Sequence, residues 1–566
     1  MEFKKGDIYG THRVLEPKGV LPQPADVLDN TMEIYDNEVL IDVHTLNIDS
    51  ASFTEIEKRA GGDIEEIKKI IMNIVATTGK HKNPWTGSGG MLIGKVKEIG
   101  PNFKGDLRVG DKIATLVSLS LTPLKIEEIK EIRPEIDQVD VKGQAILFQS
   151  GLYAILPKDM PKELALSVLD VAGAPAQTAK ICKPGDTVVV MGGGGKSGIL
   201  CCWQAKKQVG INGKVICVDG FKKSLNRAMS VKCADEYIVV NATDAVAMYN
   251  EVMEATEGEL ADVVINVVNI PNTEMASIMA CKDGGLVYFF SMATSFTKAA
   301  LGAEGVGKDV NMLIGKVKAI GPNFKGDLRV GDKIATLVSL SLTPLKIEEI
   351  KEIRPEIDQV DVKGEAILFQ SGLYAILPKD MPKELALSVL DVAGAPAQTA
   401  KICKPGDTVV VMGGGGKSGI LCCWQAKKQV GINGKVICVD GFKKSINRAM
   451  SVKCADEYIV VNATDAVAMY NEIMEATEGE LADVVINVVN IPNTEMASIM
   501  ACKDGGLVYF FSMATSFTKA ALGAEGVGKD VNMLIGNGYT KGHANVALQV
   551  LRDDERIMKL FAELYA

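Results

Sequence analysis

Cysteine is missing from the first 181 residues of this 566-residue chain, and the whole chain has only four histidines and three tryptophans. The twelve cysteines that do occur include no Cys-x-x-Cys pair and no close Cys/His set, so the ligand spacing of a zinc site is absent. They read as small buried apolar residues in a reducing compartment. No stretch approaches the roughly 20 apolar residues of a membrane helix. The opening "MEFKKGDIYG" has neither an apolar core nor a small-residue cleavage site, so no export signal is expected and the cytoplasm is the expected location. Positive charge is in deficit too: a net charge of −9 argues against the basic stripe with which nucleic-acid binders displace counterions. Neither a membrane nor a nucleic acid is expected as a partner.

What the chain has in quantity is glycine and repetition. "MLIGKVKEIGPNFKGDLRVGDKIATL" from Met91 returns as "MLIGKVKAIGPNFKGDLRVGDKIATL" from Met312, an offset of 221 that holds as far as Asn532. Four positions differ: Glu98 against Ala319, Gln144 against Glu365, Leu225 against Ile446, and Val252 against Ile473. Since "MLIG" stands again at Met533, the simplest parent is a chain of 345 residues in which one block has been doubled. A period this long is domain duplication; solenoid repeats are only tens of residues long.

Two textures alternate along one copy. Residues 1 to about 165 show short apolar and polar alternation punctuated by Gly, Pro and Asn, the pattern of a small β-barrel or sandwich. From about Glu163 onward, apolar strands alternate with helical segments ("DTVVVMG", "SGILCCWQAKKQVG", "GKVICVDG"), which predicts a parallel, doubly wound α/β sheet. The acidic run "IEEIKEIRPEID", Ile126 to Asp137, predicts a solvated helix face and is assigned no function.

The stretch "VVVMGGGGKSGILCC", Val188 to Cys202, admits two readings. An ATP loop would need glycine at the position held by Val190. The dinucleotide pattern G-x-G-x-x-G instead fits Gly193, Gly195 and Gly198, directly between a strand and a helix whose first turn carries Lys196 and Ser197. Asp219 ends the next strand, 21 residues after Gly198, where a carboxylate would accept hydrogen bonds from an adenosine ribose and repel a 2′-phosphate. NAD is the expected cofactor, with Lys222 and Lys223 keeping an NADP reading open. The second copy repeats the set as Gly414, Gly416, Lys417, Ser418, Gly419 and Asp440.

In the order "GKVKEIGPNFKGDLRVGDKI", "CKPGDTVVVMGGGGKSG" and "VICVDG", these phrases resemble the medium-chain dehydrogenase/reductase superfamily. The resemblance implies a GroES-like β domain followed by a Rossmann domain, with the chain's end returning to the β domain. It divides this chain into a catalytic domain (1–165), a Rossmann domain (166–311), a partial catalytic domain (312–386), a second Rossmann domain (387–532) and a C-terminal segment (533–566). The second part of the β domain and the Rossmann unit are thus expected in tandem. Zinc-dependent members place a Cys and a Gly-His-Glu where this chain has Asn47 and Gly89–Met91, so a metal-free site is expected. Without a metal, amine oxidation is favoured over alcohol oxidation, because a protonated imine is already electrophilic.

"HTLNIDSASF" and "HKNPWTGSGGMLIG" are similar to a zinc-free branch of that superfamily that oxidatively deaminates a diamino acid with NAD during lysine fermentation. This implies a small-molecule amino acid or diamine substrate, Asp49 as proton acceptor with His44 and His81 as alternatives, a pocket lined by Trp85, Thr86 and Ser88, and Lys82 at the substrate carboxylate. A zinc-free quinone or enone reductase, and a duplicated nucleotide-binding scaffold without catalysis, are the competing readings. The second lobe lacks residues 1–90. It is therefore expected to expose strand edges and apolar surface, with the two Rossmann units pairing within the chain and the incomplete lobe left partly disordered or covered by a neighbouring chain of a homo-oligomer.

Overall fold

The computed structural model describes residues 3–291, 293–295, 298–299, 314–337, 343–355, 359–370, 372–535 and 542–565. The repeat junction at Met312 lies outside the described residues. The chain forms two compact units, Met1–Val239 with Thr518–Asp530, and Val240–Phe517 with Val531–Ala566. No helix among the described residues is long and apolar enough to cross a membrane.

The first unit opens with a six-stranded sheet in the order Leu124–Arg133, Gln138–Leu147, Val39–Asn47, Met91–Ile99, Lys112–Thr115 and Tyr153–Ile155. Every pairing in it is antiparallel. Val39–Asn47 is the bridge: one edge pairs Leu46 with Leu92, the other pairs Leu46 with Val139. Its apolar residues Val39, Ile41, Val43 and Leu46 share one core with Val139, Val141, Ile146, Leu147 and Phe148. Below the sheet edge, Arg13 and Glu38 are both fully buried and joined by two 2.7 Å bonds, with the remaining guanidinium protons on the carbonyls of Asp29, Thr31 and Glu33. Burial opposes ionisation of Glu38, yet Arg13 and His12 together hold its carboxyl below the usual range. Leaving either partner alone in this core would cost about 3–5 kcal/mol.

Two features depart from the expected β texture. Helices Ser50–Arg59 and Ile64–Thr78 interrupt the lobe, each started by an aspartate, Asp49 or Asp63, whose side chain accepts a backbone N–H of the first turn. The second helix buries Ile67, Ile71, Ile74 and Val75, the spacing of a single helical face. The acidic run, expected as a helix, is instead the strand Leu124–Arg133 followed by a short 3-10 turn. The ladder with Gln138–Leu147 slips between Ile126 and Glu128 and again between Ile129 and Glu131. Each bulge inserts one extra residue, so apolar residues three apart return to the same face of a strand.

After the lobe, the first unit carries three parallel strands, with Lys214–Asp219 between Thr187–Met191 and Glu236–Val239. The second unit carries Ala261–Asn266 paired in parallel with Cys281–Phe289. It also holds a six-stranded parallel sheet, five strands from the second block and the last running into the C-terminal segment, in the order Glu457–Val460, Lys435–Asp440, Thr408–Met412, Ala482–Asn487, Cys502–Phe510 and Asn532–Ile535. Numbered along the chain this is 3-2-1-4-5-6, the doubly wound Rossmann order, as expected. The C-terminal helices His543–Asp553 and Glu555–Tyr565 pack on this copy, with Trp424 donating its indole N–H to Asp554 at 3.2 Å and Lys428 paired to Asp553 at 2.8 Å.

The second block's β lobe is different. Among the described residues it forms a three-stranded sheet (Ile314–Lys316, Lys333–Thr336, Tyr374–Ile376) and a hairpin of Leu345–Arg354 with Gln359–Ala366, where the first lobe has one six-stranded sheet. The break falls where Val39–Asn47 would lie.

Candidate active site

In both copies the glycine turn does what its residue types require. Gly192 has φ +78°, and a Cβ on Gly198 would stand 2.1 Å from the Gly192 carbonyl oxygen, so a side chain at position 198 would push the helix Lys196–Val209 off the strand. A Cβ on Gly419 would meet the Gly413 oxygen at the same 2.1 Å. Asp219 stands at the mouth of the turn, accepting from the backbone N–H of Gly194 at 3.1 Å and of Phe221 at 3.0 Å. Asp440 repeats this with Gly415 at 3.2 Å and Phe442 at 3.1 Å. Gly193, Gly195, Lys196, Ser197, Gly198 and Asp219 therefore form one turn, as do Gly414, Gly416, Lys417, Ser418, Gly419 and Asp440. Lys223 lies exposed on the next helix. The donors, the close helix packing and the carboxylate all suit a dinucleotide with a free ribose 2′-hydroxyl.

Lys196 also does something the sequence did not announce. Its Nζ pairs with Asp170 Oδ2 at 2.8 Å, while Asp170 Oδ1 accepts from Asn47 Nδ2 at 3.3 Å and Asn47 Oδ1 accepts from Gln138 Nε2 at 3.3 Å. A polar chain thus runs from the glycine turn to Asn47, the last residue of the strand Val39–Asn47. Asp137, held in the left-handed region at φ 58°, accepts from Ser50 Oγ at 2.5 Å. Burial raises its pKa, and Asp170 and Asp49 push the same way while Lys196 opposes them. Asp49 has one carboxylate oxygen capping its helix through Ser52 N–H at 3.0 Å; the other, Oδ2, is buried without a partner.

Ser52 ties Asp49 to the loop expected to line the pocket. Its hydroxyl lies 2.5 Å from Thr86 Oγ1 and 2.7 Å from Ser88 Oγ, and these two are 3.0 Å apart. Asn83 shapes the loop, donating to the Ser52 carbonyl at 3.1 Å and accepting from Trp85 N–H at 2.9 Å and Thr86 N–H at 3.3 Å. Asp49, Thr86 and Ser88 are thereby brought together. The other candidates are placed elsewhere. His44 is the exposed residue at the bulge in Val39–Asn47. His81 is sealed in the lobe at 0% exposure, and burial lowers its pKa to about 4 against the opposing pull of the neighbouring backbone at Gly89. Lys82 reaches the Pro24 carbonyl at 3.3 Å, and Trp85 lies under the Arg59 guanidinium at 3.9 Å. Lys80, unremarked in the sequence, is fully buried and donates to the carbonyls of Pro22, Gln23 and Ala25, which fixes the N-terminal loop.

Among the described residues no group of three or more His, Cys, Asp or Glu side chains is arranged to hold a metal ion. All twelve cysteines are free thiols and eleven are buried; burial pushes Cys182 up to about 12 and Cys201 to about 11, far from a reactive thiolate.

The family model of the L-erythro-3,5-diaminohexanoate dehydrogenase N-terminal domain matches residues 12–157 and 304–378, which are the first lobe and the reduced second lobe. The chain is 58% identical over 317 residues to L-erythro-3,5-diaminohexanoate dehydrogenase of Fusobacterium nucleatum, covering 55% of this chain and 91% of that protein. The same enzyme of Acetoanaerobium sticklandii is 58% identical over 313 residues, again 91% of its length. Among solved structures, Escherichia coli quinone oxidoreductase complexed with NADPH aligns at TM-score 0.30 and 17% identity, over 46% of this chain and 66% of that one.

Two outcomes follow from this geometry. Because Asp219 faces the turn, NAD binds at least about tenfold more tightly than NADP, a difference of about 1.4 kcal/mol, and Asp219→Ser narrows the gap. Equal affinities of the unsubstituted protein in a fluorescence titration would contradict this. His81 has a lower pKa folded than its ordinary 6.5, so the unfolded chain binds the extra proton between 6.5 and about 4 and stability falls as pH drops through that window. The full drop is about 3 kcal/mol at 1.36 kcal/mol per unit. Denaturant unfolding of His81→Leu should be flatter than wild type across that range; parallel curves would contradict it.

Proposed function

This chain belongs to the L-erythro-3,5-diaminohexanoate dehydrogenase family, and we propose that it oxidatively deaminates L-erythro-3,5-diaminohexanoate with NAD and water, giving 5-amino-3-oxohexanoate, ammonium and NADH. The observation that carries the reading to this chain's own residues is Asp49 Oδ2, buried without a partner beside Asp137 and Asp170. Asp137 feels the negative charges of Asp49 and Asp170, and the one cation acting on it, Lys196, is already paired with Asp170. The surplus of negative charge suits a substrate with two ammonium groups.

The roles divide as follows. Asp49 takes a proton from the substrate ammonium at C3, because an amine must be neutral before its carbon releases hydride. Asp137 and Asp170 hold the cationic groups, and the hydroxyls of Ser52, Thr86 and Ser88 orient the substrate and the water that adds to the iminium carbon. Bound NAD supplies the hydride acceptor. The glycine turn and Asp219 hold that cofactor, and Lys196 couples its position to Asp170 and hence to Asn47. One hydride and one proton leave the C–N unit, water enters, and ammonium departs, so the reaction balances.

The expected result is NADH formation from L-erythro-3,5-diaminohexanoate with one ammonium per NADH. Asp49→Asn should lower kcat by about 100-fold or more while leaving NADH affinity unchanged. A protein that left NAD unreduced with this diamine but oxidised NADPH with a quinone or enone would instead be the competing reductase.

A further inference from the structure

The first lobe is a template for what the second one lacks. In the first copy Val139, Ile146 and Phe148 are 0%, 0% and 2% exposed; their twins Val360, Ile367 and Phe369 are 50%, 60% and 53% exposed. The strand sequence is the same except for Gln144 against Glu365, so the difference comes from what covers it. In the first copy the cover is the strand Val39–Asn47 together with the helix Ile64–Thr78, which share one core with these residues. In the second copy Ile350 opposes Val362 and Ile353 opposes Val360 across the hairpin, so these side chains share one face; Ile350 and Ile353 are 57% and 60% exposed. Gln359–Ala366 has Leu345–Arg354 as its single sheet neighbour among the described residues. Exposed apolar patches and free strand edges of this kind mark sites of association.

We propose that this open lobe is an acceptor for an extended β-strand from another polypeptide, with the apolar alternation of Val39–Asn47, bound by strand addition to Gln359–Ala366. The register follows from the first copy. Val39 pairs Leu147, Ile41 pairs Ala145 and Leu46 pairs Val139, so the incoming strand meets Leu368, Ala366 and Val360 at those points. Main-chain bonds to the edge supply affinity, and the apolar face selects alternate side chains. A second copy of the same face is the weaker fit, since two such hairpins lack the cover that the helix Ile64–Thr78 gives in the first lobe.

One of the four differences between the copies tunes this site. In the first copy Gln144 Nε2 donates to Asp42 Oδ1 at 2.8 Å, with Lys97 Nζ 3.5 Å from the same oxygen. In the second, Glu365 replaces the glutamine and is ion-paired with Lys318, the twin of Lys97. An incoming aspartate at the Asp42 position would meet a carboxylate where the first lobe offers a donor. The acceptor therefore prefers a neutral side chain there.

The test uses the full chain and a labelled synthetic peptide spanning Asn37 to Asp49, titrated by fluorescence anisotropy. The expected result is one peptide per chain, binding at least tenfold weaker to the Ile350→Glu/Ile353→Glu double variant and at least threefold tighter when the peptide carries Asp42→Asn. Both isoleucines are exposed, so the double variant keeps its fold, with an unchanged circular dichroism spectrum and thermal unfolding curve as the check. Absence of binding, or binding unchanged in the double variant, would overturn the proposal. So would self-association of the chain that the double variant abolishes, since the face would then be occupied by a second copy.

Discussion

The interaction on which the rest of the molecule depends is the double-sided pairing of Val39–Asn47. A strand bonded along both edges satisfies its own backbone and that of two neighbours, and here it also contributes the apolar stripe around which the lobe's core closes. The chain contains its own control. Where this strand is present, six strands make one sheet; where it is missing, nearly the same sequence separates into three strands and two, with Ile367 at 60% exposure against 0% for Ile146. Local propensity is nearly the same in both copies, so what residues 1–90 add, this strand and the helix Ile64–Thr78 that shares its core, decides which state forms.

The same strand leads into the proposed site. Its last residue, Asn47, joins Gln138 to Asp170, and two residues on Asp49 caps a helix with one oxygen and leaves the other unpartnered. Gly90 allows this closeness: at φ +103°, a Cβ there would stand 2.0 Å from the Asn47 carbonyl oxygen. The cofactor turn, by contrast, is complete within a block and so occurs twice with the same geometry. The second block nonetheless contributes to the first unit through Thr518–Asp530, where Asp530 pairs with Lys180 and a Cβ on Gly528 would lie 2.3 Å from the Ser150 carbonyl oxygen. The block's chain end thus closes over a lobe more than three hundred residues earlier.

Much of this was legible in the sequence wherever the determinants are local. The glycine turns and Asp219 sit within a few residues of one another, and their function depends on backbone geometry that glycine alone permits. The exposed second lobe followed from counting which strands a duplicated block leaves out. The rest depended on partners distant in sequence. Ile126, Ile129 and Ile132 read as a helix face because two bulges restore same-face alignment, and bulges leave no local mark. The helix at Ser50 was hidden in "NIDSAS", whose turn-forming residues are equally capping residues. Asp170 and Gln138 gave no signal at all; they matter because Lys196 and Asn47 reach them, and only the fold shows it. His81 looked like a candidate base and lies inside the core, a distinction its neighbours in sequence do not make.

The central claim is that chemistry follows the single head strand while cofactor binding follows the duplicated turn. Calorimetric titration of the NADH-saturated chain with L-erythro-3,5-diaminohexanoate, which cannot be oxidised by NADH, counts substrate sites against cofactor sites. The account predicts two NADH and one diamine bound per chain. Two diamines per chain would show that the second lobe completes an active site without Val39–Asn47, and would contradict it.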